Sequence, residues 1–178
     1  MTYTYKLNRE LLIYQEKIAP FELKTGTVYF LKSNIDVLVT SLMDTQRSNH
    51  SMVGKAYHVP YSNVIRWLRS RSVYYLLEKR MKDKDALDAY FRFFNLPHDV
   101  IVKDLRGVLC NQIFNFEYNY EQYNLFLINS AGMDILSIDE LRSYMQQRTT
   151  AQKCVLIYDT ALRRNDDNSA VFQLEEWK

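Results

Sequence analysis

Seven residues in the middle of the chain, Phe114 to Tyr120, spell FNFEYNY and decide the predicted fold class. Aromatic and polar side chains alternate strictly along this stretch, and a period of two is typical of a β-strand with one buried face. The polar residues 122–124 can turn the chain back into a second apolar run, Leu125 to Ile128. The stretch therefore predicts a β-hairpin whose aromatic face is covered by another element.

Elements on both sides of the hairpin complete a predicted α+β fold. Ser137-x-x-Glu140 matches a capping box and predicts a covering helix that runs to about Gln147. Apolar spacing and β-branched content predict the other elements: helices at residues 7–19, 85–94 and 99–113, and strands at residues 27–31, 154–158 and 170–174. We therefore expect a helical lobe over residues 1–112 and an antiparallel sheet with one covering helix over residues 113–178, which could form a homodimer or recruit a partner.

Residues 35–82 of the helical lobe have the outline of a helix-turn-helix. A support helix at 35–43 and a short helix at 52–58 precede a turn at 60–62, and a third helix follows at 63–69. Apolar side chains of the third helix gather on one arc, which leaves Arg66 and Arg69 on the opposite arc. The apolar arc then shifts, and this shift predicts a helix break near Ser72. In a helix-turn-helix, the third helix lies in the major groove of DNA.

Charge is unevenly distributed along the chain. Residues 47–82 hold eight basic side chains and one acid, Glu78, although the whole chain has a net charge of only +2. Such a block favours a polyanionic partner. We therefore predict a non-catalytic, DNA-binding protein. Its predicted nucleic-acid-binding residues are Lys55, Tyr61, Ser62, Asn63, Arg66, Arg69, Arg71 and Lys79.

A family resemblance supports the same expectation. The stretch Trp67 to Val73, with Leu76 and Leu77 after it, resembles the W-L-R-x-x-S/T stretch of KilA-N domains, DNA-binding modules of phages and large DNA viruses. Gly54-Lys55 is similar to the Gly-Lys pair that often precedes that stretch in the family. The resemblance covers about 30 of the 178 residues. It implies a viral or phage DNA-binding protein, and a role in transcription regulation is expected with it.

Two other functions remain open at this point. The basic face could dock on an acidic protein, as an interaction or inhibitor module would do. Alternatively, Asp159 at a strand end and Glu176-Trp177-Lys178 after the last strand mimic the metal-binding pattern of Mg²⁺-dependent nucleases.

Other residue types give few functional signals. Cys110 and Cys154 lack metal-ligand spacing, and the three histidines lack carboxylate or thiol partners at such spacing. The chain contains no apolar run of about 20 residues. We therefore expect an intracellular protein with no cofactor, no metal, no small-molecule substrate and no membrane contact.

Overall fold

The computed structural model describes residues 4–6, 11–13, 16–18, 22–33, 56–60, 68–159 and 172–177. The chain divides into two compact units. The first, here called the sheet unit, comprises Met1–His58 and Tyr123–Lys178. The second, here called the helical unit, comprises Val59–Gln122.

A five-stranded mixed sheet is the centre of the sheet unit. The described strands are β1 Thr4–Lys6, β2 Leu11–Ile13, β3 Glu16–Ile18, β4 Glu22–Lys24, β5 Thr27–Ser33, β6 Ala56–Val59, β7 Leu125–Asn129, β8 Cys154–Asp159 and β9 Phe172–Trp177. The five-stranded order is β6-β7-β8-β5-β9, with β8 parallel to both β7 and β5, and β9 antiparallel to β5. The pairs β1-β4 and β2-β3 form two small antiparallel sheets.

The three parallel strands are buried along nearly their whole length. Residues 28–31, 125–128 and 154–158 are apolar and lie in the core. Continuous apolar runs of this kind are typical of parallel strands that are covered on both faces. The helix Ile135–Arg148, called α4, follows β7, leads back to β8 and packs against β5.

The edge strand β9 is fastened to β5 by an aromatic stack. The ring centres of Phe30 and Trp177 lie 4.6 Å apart. The two ring planes are nearly parallel, with an angle of 8° between them. On the helix side, the guanidinium carbon of Arg142 lies 5.0 Å from the centre of the Trp177 ring. A cation over the face of an indole ring is attracted by its quadrupole. These contacts join β5, β9 and α4.

Four α-helices are described, and three of them lie in the helical unit. Their bounds are α1 Val73–Glu78, α2 Lys84–Phe93, α3 Val108–Asn119 and α4 Ile135–Arg148, with a 3-10 turn at Val102–Asp104. Ser72 caps α1 by accepting from the backbone N–H of Tyr75, and Asp83 caps α2. The predicted helix break near Ser72 and the predicted helix at 85–94 are therefore confirmed. Gly107, with φ 81°, precedes α3 in a conformation that favours glycine.

The predicted strand at 114–120 is wrong, because residues 114–119 belong to the helix α3 and Tyr120 is its C-cap. Its aromatic side chains are buried, but so are the alternating Asn115 and Glu117. Asn115 donates to the carbonyl of Pro60 at 3.2 Å, and Asn119 donates to the carbonyl of Asn115 one turn earlier. A helix buried on all sides carries no amphipathic period, so the alternation of aromatic and polar residues did not report the backbone conformation.

Three further expectations also fail. The predicted opening helix at residues 7–19 is replaced, where that stretch is described, by the short strands β2 and β3. The α+β class is confirmed, but the sheet is mixed rather than antiparallel. Residues 56–58, the described end of the predicted second helix of the helix-turn-helix, belong instead to the strand β6, whose Tyr57 packs against Tyr123 and Phe126. The first helix lies outside the described residues, and so does nearly all of the third.

The central position of β8 gives a stability prediction. Leu156 is fully buried in β8 and pairs with Leu127 on one side and Tyr29 on the other. We expect Leu156→Ala to lower the free energy of unfolding by about 2–5 kcal/mol, because it leaves a cavity in a close-packed core. Urea denaturation would measure the loss, with the exposed Gln152→Ala as the control, expected to change stability by about 0.5 kcal/mol or less. Equal losses in the two variants would contradict the buried position of β8.

Candidate functional site

The carboxyl ends of three parallel strands meet at one edge of the sheet. Pairing places Asn129, the last residue of β7, beside Tyr158, and places Asp159, the last residue of β8, beside Lys32 of β5. We call this edge, formed by the ends of β5, β7 and β8, the carboxyl edge. In open sheets with parallel strands, ligands bind outside these ends, where the strand order changes direction. Such a change occurs here. The strand that follows β5 in sequence, β6, lies at one edge of the sheet, and the strand that follows β8, β9, lies at the other edge.

A hydrogen-bonded turn closes the end of β7. The backbone N–H of Ala131 donates to Oδ1 of Asn129 at 2.9 Å, which forms an Asx turn. Ser130 is 1% exposed, and both its backbone N–H and its hydroxyl donate to the carbonyl of Tyr158, at 2.8 and 3.2 Å. Gly132, with φ 84°, lets the chain reverse toward α4. The turn therefore holds the end of β7 against β8.

A histidine and a tyrosine meet across β7. Nε2 of His58 on β6 and the hydroxyl of Tyr158 on β8 lie 2.5 Å apart and share a hydrogen bond. Burial lowers the pKa of His58 below its usual value, because the charged imidazolium is poorly solvated there. The pair therefore joins β6 to β8 through a neutral imidazole at neutral pH.

The two cysteines are unsuited to nucleophilic chemistry. Burial raises the pKa of Cys110 to about 11 and raises the pKa of Cys154 further. Reactive cysteines need an accessible thiolate, which burial disfavours. The described residues contain no cluster of three or more His, Cys, Asp or Glu side chains that could hold a metal ion.

The predicted nucleic-acid-binding residues are described only in part. Lys55, Tyr61, Ser62, Asn63 and Arg66 lie outside the described residues, and their placement on one face stays a prediction. The remaining three, Arg69, Arg71 and Lys79, are exposed on the helical unit.

Some cations of the basic stretch are engaged with neighbouring side chains. The ammonium of Lys79 bonds to the hydroxyl of Tyr75, and Lys79 and the nearby Arg71 lower the pKa of that phenol. Lys82 pairs with Glu121 at 3.2 Å. Part of the stretch is therefore balanced within the helical unit itself.

The residues of the nuclease pattern are placed apart by the sheet. Strand β5 lies between β8 and β9, so Asp159 and Glu176 are two strands apart. Asp159 pairs with Lys32 and Glu176 pairs with Tyr29, three residues earlier on β5. The separation is therefore roughly 10 Å along the strands and roughly 10 Å across them. Carboxylates that share a Mg²⁺ ion must lie much closer together, since each binds it at about 2 Å.

Comparison with known proteins identifies the fold. No family model and no curated protein matches this chain, so its resemblance to KilA-N domains stays a prediction. Among solved structures, an RNase-L inhibitor matches at 19% identity with a TM-score of 0.52, over 88% of this chain and 33% of that one. The archaeal ribosome recycling factor aABCE1, solved in complex with the ribosomal stalk protein aP1, matches at 16% identity with a TM-score of 0.54. This match covers 81% of this chain and 31% of that one. An ATP-binding cassette of an ABC transporter, in its ADP conformation, matches at 9% identity with a TM-score of 0.53. This match covers 91% of this chain and 82% of that one.

This chain has the fold of an ATP-binding cassette. It spans about a third of the length of the first two proteins but most of the isolated cassette. The prediction of a DNA-binding, helix-turn-helix regulator of viral type with a nucleic-acid partner is therefore wrong, because the solved structures that match this chain include an ATP-binding cassette of an ABC transporter. The expectation that no small-molecule ligand is involved also loses its support.

The sequence lacks the glycine-rich pattern with which P-loop ATPases bind phosphate, and the end of β7 lacks a carboxylate. Those enzymes cradle the triphosphate with G-x-x-x-x-G-K-[ST] directly after a strand and hold Mg²⁺ with a carboxylate. Here β5 is followed by Asn34-Ile35-Asp36, and the four glycines, at 26, 54, 107 and 132, give that pattern nowhere in the chain. At the end of β7 stands Asn129, a neutral amide whose oxygen is already bonded in the turn.

Sequence reasoning missed the carboxyl edge, although a signal was present. The apolar runs at 125–128 and 154–158 flank a predicted helix, and a strand-helix-strand order predicts parallel pairing. The predicted hairpin assigned the first run to an antiparallel partner and concealed this order.

The His58–Tyr158 pair gives a pH prediction. Because its pKa is lowered in the folded state, His58 binds a proton more readily in the unfolded chain, so stability is lost as pH falls through about 6.5 toward the folded pKa. We expect urea denaturation to show a smaller loss between pH 7 and pH 5 in His58→Gln than in the wild type. An identical pH profile in the two proteins would show that His58 is not desolvated.

Proposed function

We propose that this chain is an ATP-binding-cassette-type domain that acts as a non-catalytic, protein-binding module. The observation that carries the proposal is the carboxyl edge, where β7 of a cassette-type sheet ends in the neutral Asn129, whose oxygen is already bonded in the turn, and where the sequence supplies no glycine-rich phosphate loop. The proposal differs from the basic-face interaction module considered above, because it does not depend on the cations of residues 47–82.

The sheet supplies a rigid scaffold for such a role. β8 is paired on both sides by parallel strands, and its residues 154–158 are buried. Elements built on a packed core hold surface side chains in fixed positions, which lowers the entropic cost of binding a partner. A cassette fold can therefore serve assembly without turnover.

The turn after β7 supports the non-catalytic part of the proposal. Ser130 gives both of its donors to the carbonyl of Tyr158, and Asn129 accepts from Ala131. These groups are used within the protein. Catalysis of phosphoryl transfer depends on donors and metal ligands that face the transferring group, and this turn directs the same groups into the backbone.

A second candidate function is binding of an adenine nucleotide without hydrolysis. The specific observation in its favour is the likeness to a cassette solved in its ADP conformation. In this case the carboxyl edge would hold the nucleotide through contacts other than a glycine-rich loop.

One pair of measurements separates these candidates. We expect the purified chain with Mg²⁺ and ATP to release phosphate no faster than buffer, and 1 mM ATP or ADP to leave its melting temperature unchanged. A nucleotide with a dissociation constant 100-fold below its concentration would stabilise the folded state by about 2.7 kcal/mol, which a thermal scan detects. A Mg²⁺-dependent rise in melting temperature without phosphate release would favour the second candidate. Phosphate release that Asn129→Ala abolishes would overturn both.

A further inference from the structure

Two large apolar side chains stand in solvent at the start of α4. Ile135 is 79% exposed and Leu136 is 75% exposed. Elsewhere in the described part of the chain, the most exposed large hydrophobic residues are Tyr75 and Phe93, at 46% and 40%. The two most exposed side chains of this class are thus adjacent in sequence and share one helical turn.

Core packing of α4 does not account for the exposure of Ile135 and Leu136. The buried residues of the helix are Leu141, Tyr144 and Met145, which face the sheet. Leu136 lies on the opposite arc with Glu140, Ser143 and Gln147, at spacings of three and four residues, and all of these are exposed. Polar residues are expected along such an arc, so a leucine there calls for a partner.

The first turn that carries the pair is held in place. Oδ1 of Asp134 accepts from the backbone N–H of Ser137 at 2.7 Å and caps the helix. The capping residue is thus Asp134, three residues before the Ser137 of the predicted capping box. A capped first turn presents Ile135 and Leu136 in one arrangement.

Carboxylates surround the apolar pair. Asp134, Asp139 and Glu140 are all exposed on the first two turns of α4. The basic residue of the same helix that lies nearest in sequence, Arg142, is directed over the ring of Trp177. We call Asp134, Ile135, Leu136, Asp139 and Glu140 together the apolar-acidic patch.

We propose that the apolar-acidic patch docks a basic amphipathic segment of another protein, whose apolar side chains cover Ile135 and Leu136 while its lysines or arginines face the three carboxylates. Charge complementarity selects this occupant. Negatively charged membrane surfaces would be repelled by the same carboxylates, which argues against a lipid partner. The inference rests on the proposed protein-binding function and names the partner's chemistry.

A peptide probe tests the proposal directly. The probe is a fluorescently labelled 14-residue helix of leucine and lysine, titrated with the whole chain and followed by anisotropy. We expect Ile135→Gln with Leu136→Gln to weaken binding about tenfold, since buried apolar anchors dominate such contacts. Asp139→Asn with Glu140→Gln should weaken binding severalfold at 50 mM salt and less at 300 mM, where charges are screened within a few ångströms.

Matched control variants lie in the helical unit. Tyr75→Gln with Phe93→Gln removes the next most exposed large apolar side chains among the described residues, and Asp85→Asn with Asp88→Asn removes two exposed carboxylates. Both controls should bind the probe within twofold of the wild type. Because all the changed residues are exposed, circular dichroism should show an unchanged fold in every variant.

Three outcomes would overturn the proposal. The first is equal binding by the patch variants and the controls. The second is binding to vesicles of phosphatidylcholine and phosphatidylserine that Ile135→Gln with Leu136→Gln abolishes. The third is self-association of the chain in sedimentation that the same double substitution dissolves, since the occupant would then be a second copy. The nucleotide measurements are independent of the peptide titration. ATP hydrolysis together with peptide binding would refute only the non-catalytic assignment. Absence of both peptide binding and nucleotide binding would refute only this inference.

Discussion

The parallel pairing of β8 with β7 on one side and β5 on the other is the constraint on which the sheet unit depends. These pairings join segments that are far apart in sequence, because β5 ends at Ser33 and β8 begins at Cys154. Parallel strands cannot be connected by a tight turn, so the chain must cross over between them, and α4 provides the crossover from β7 to β8. Burial of β8 along residues 154–158 then favours apolar side chains at each of these positions.

Local sequence signals predicted several elements of the fold correctly. The strand at 27–31, the strand at 154–158, the helix at 85–94 and the break near Ser72 are all present. Each has a signal within a few residues, such as the β-branched and aromatic run from Val28 or the capping side chain of Asp83. Parallel pairing has no signal within a few residues, because a buried strand has the same apolar pattern whichever direction its neighbour runs; only the strand-helix-strand order over residues 125–158 indicates it. The helix α3 illustrates the opposite failure, since its fully buried surface removes the contrast on which periodicity depends.

The site was harder to predict than the fold for a different reason. A basic block in the sequence indicates local charge, but charge alone does not specify what is bound. In the folded chain Lys82 is paired with Glu121, and Lys79 is bonded to Tyr75, so part of the block is engaged within the helical unit. The carboxyl edge, in contrast, depends on which strands are neighbours. Its residues, Asn129 and Tyr158, come from separate segments and carry no motif that sequence reasoning would recognise.

One short loop connects the two surfaces on which the functional proposals rest. Only Ser130 to Asp134 separate the end of β7 from the first residue of α4, and each end of this loop is fixed by hydrogen bonds. At its start Ser130 is bonded to β8, in its middle the N–H of Met133 donates to the carbonyl of Ser130 at 3.0 Å, and at its end Asp134 caps the helix. A loop with its donors and acceptors used in this way transmits the position of β7 directly to Ile135 and Leu136. The same short loop therefore fixes both the end of β7 and the first turn of α4, which carries Ile135 and Leu136.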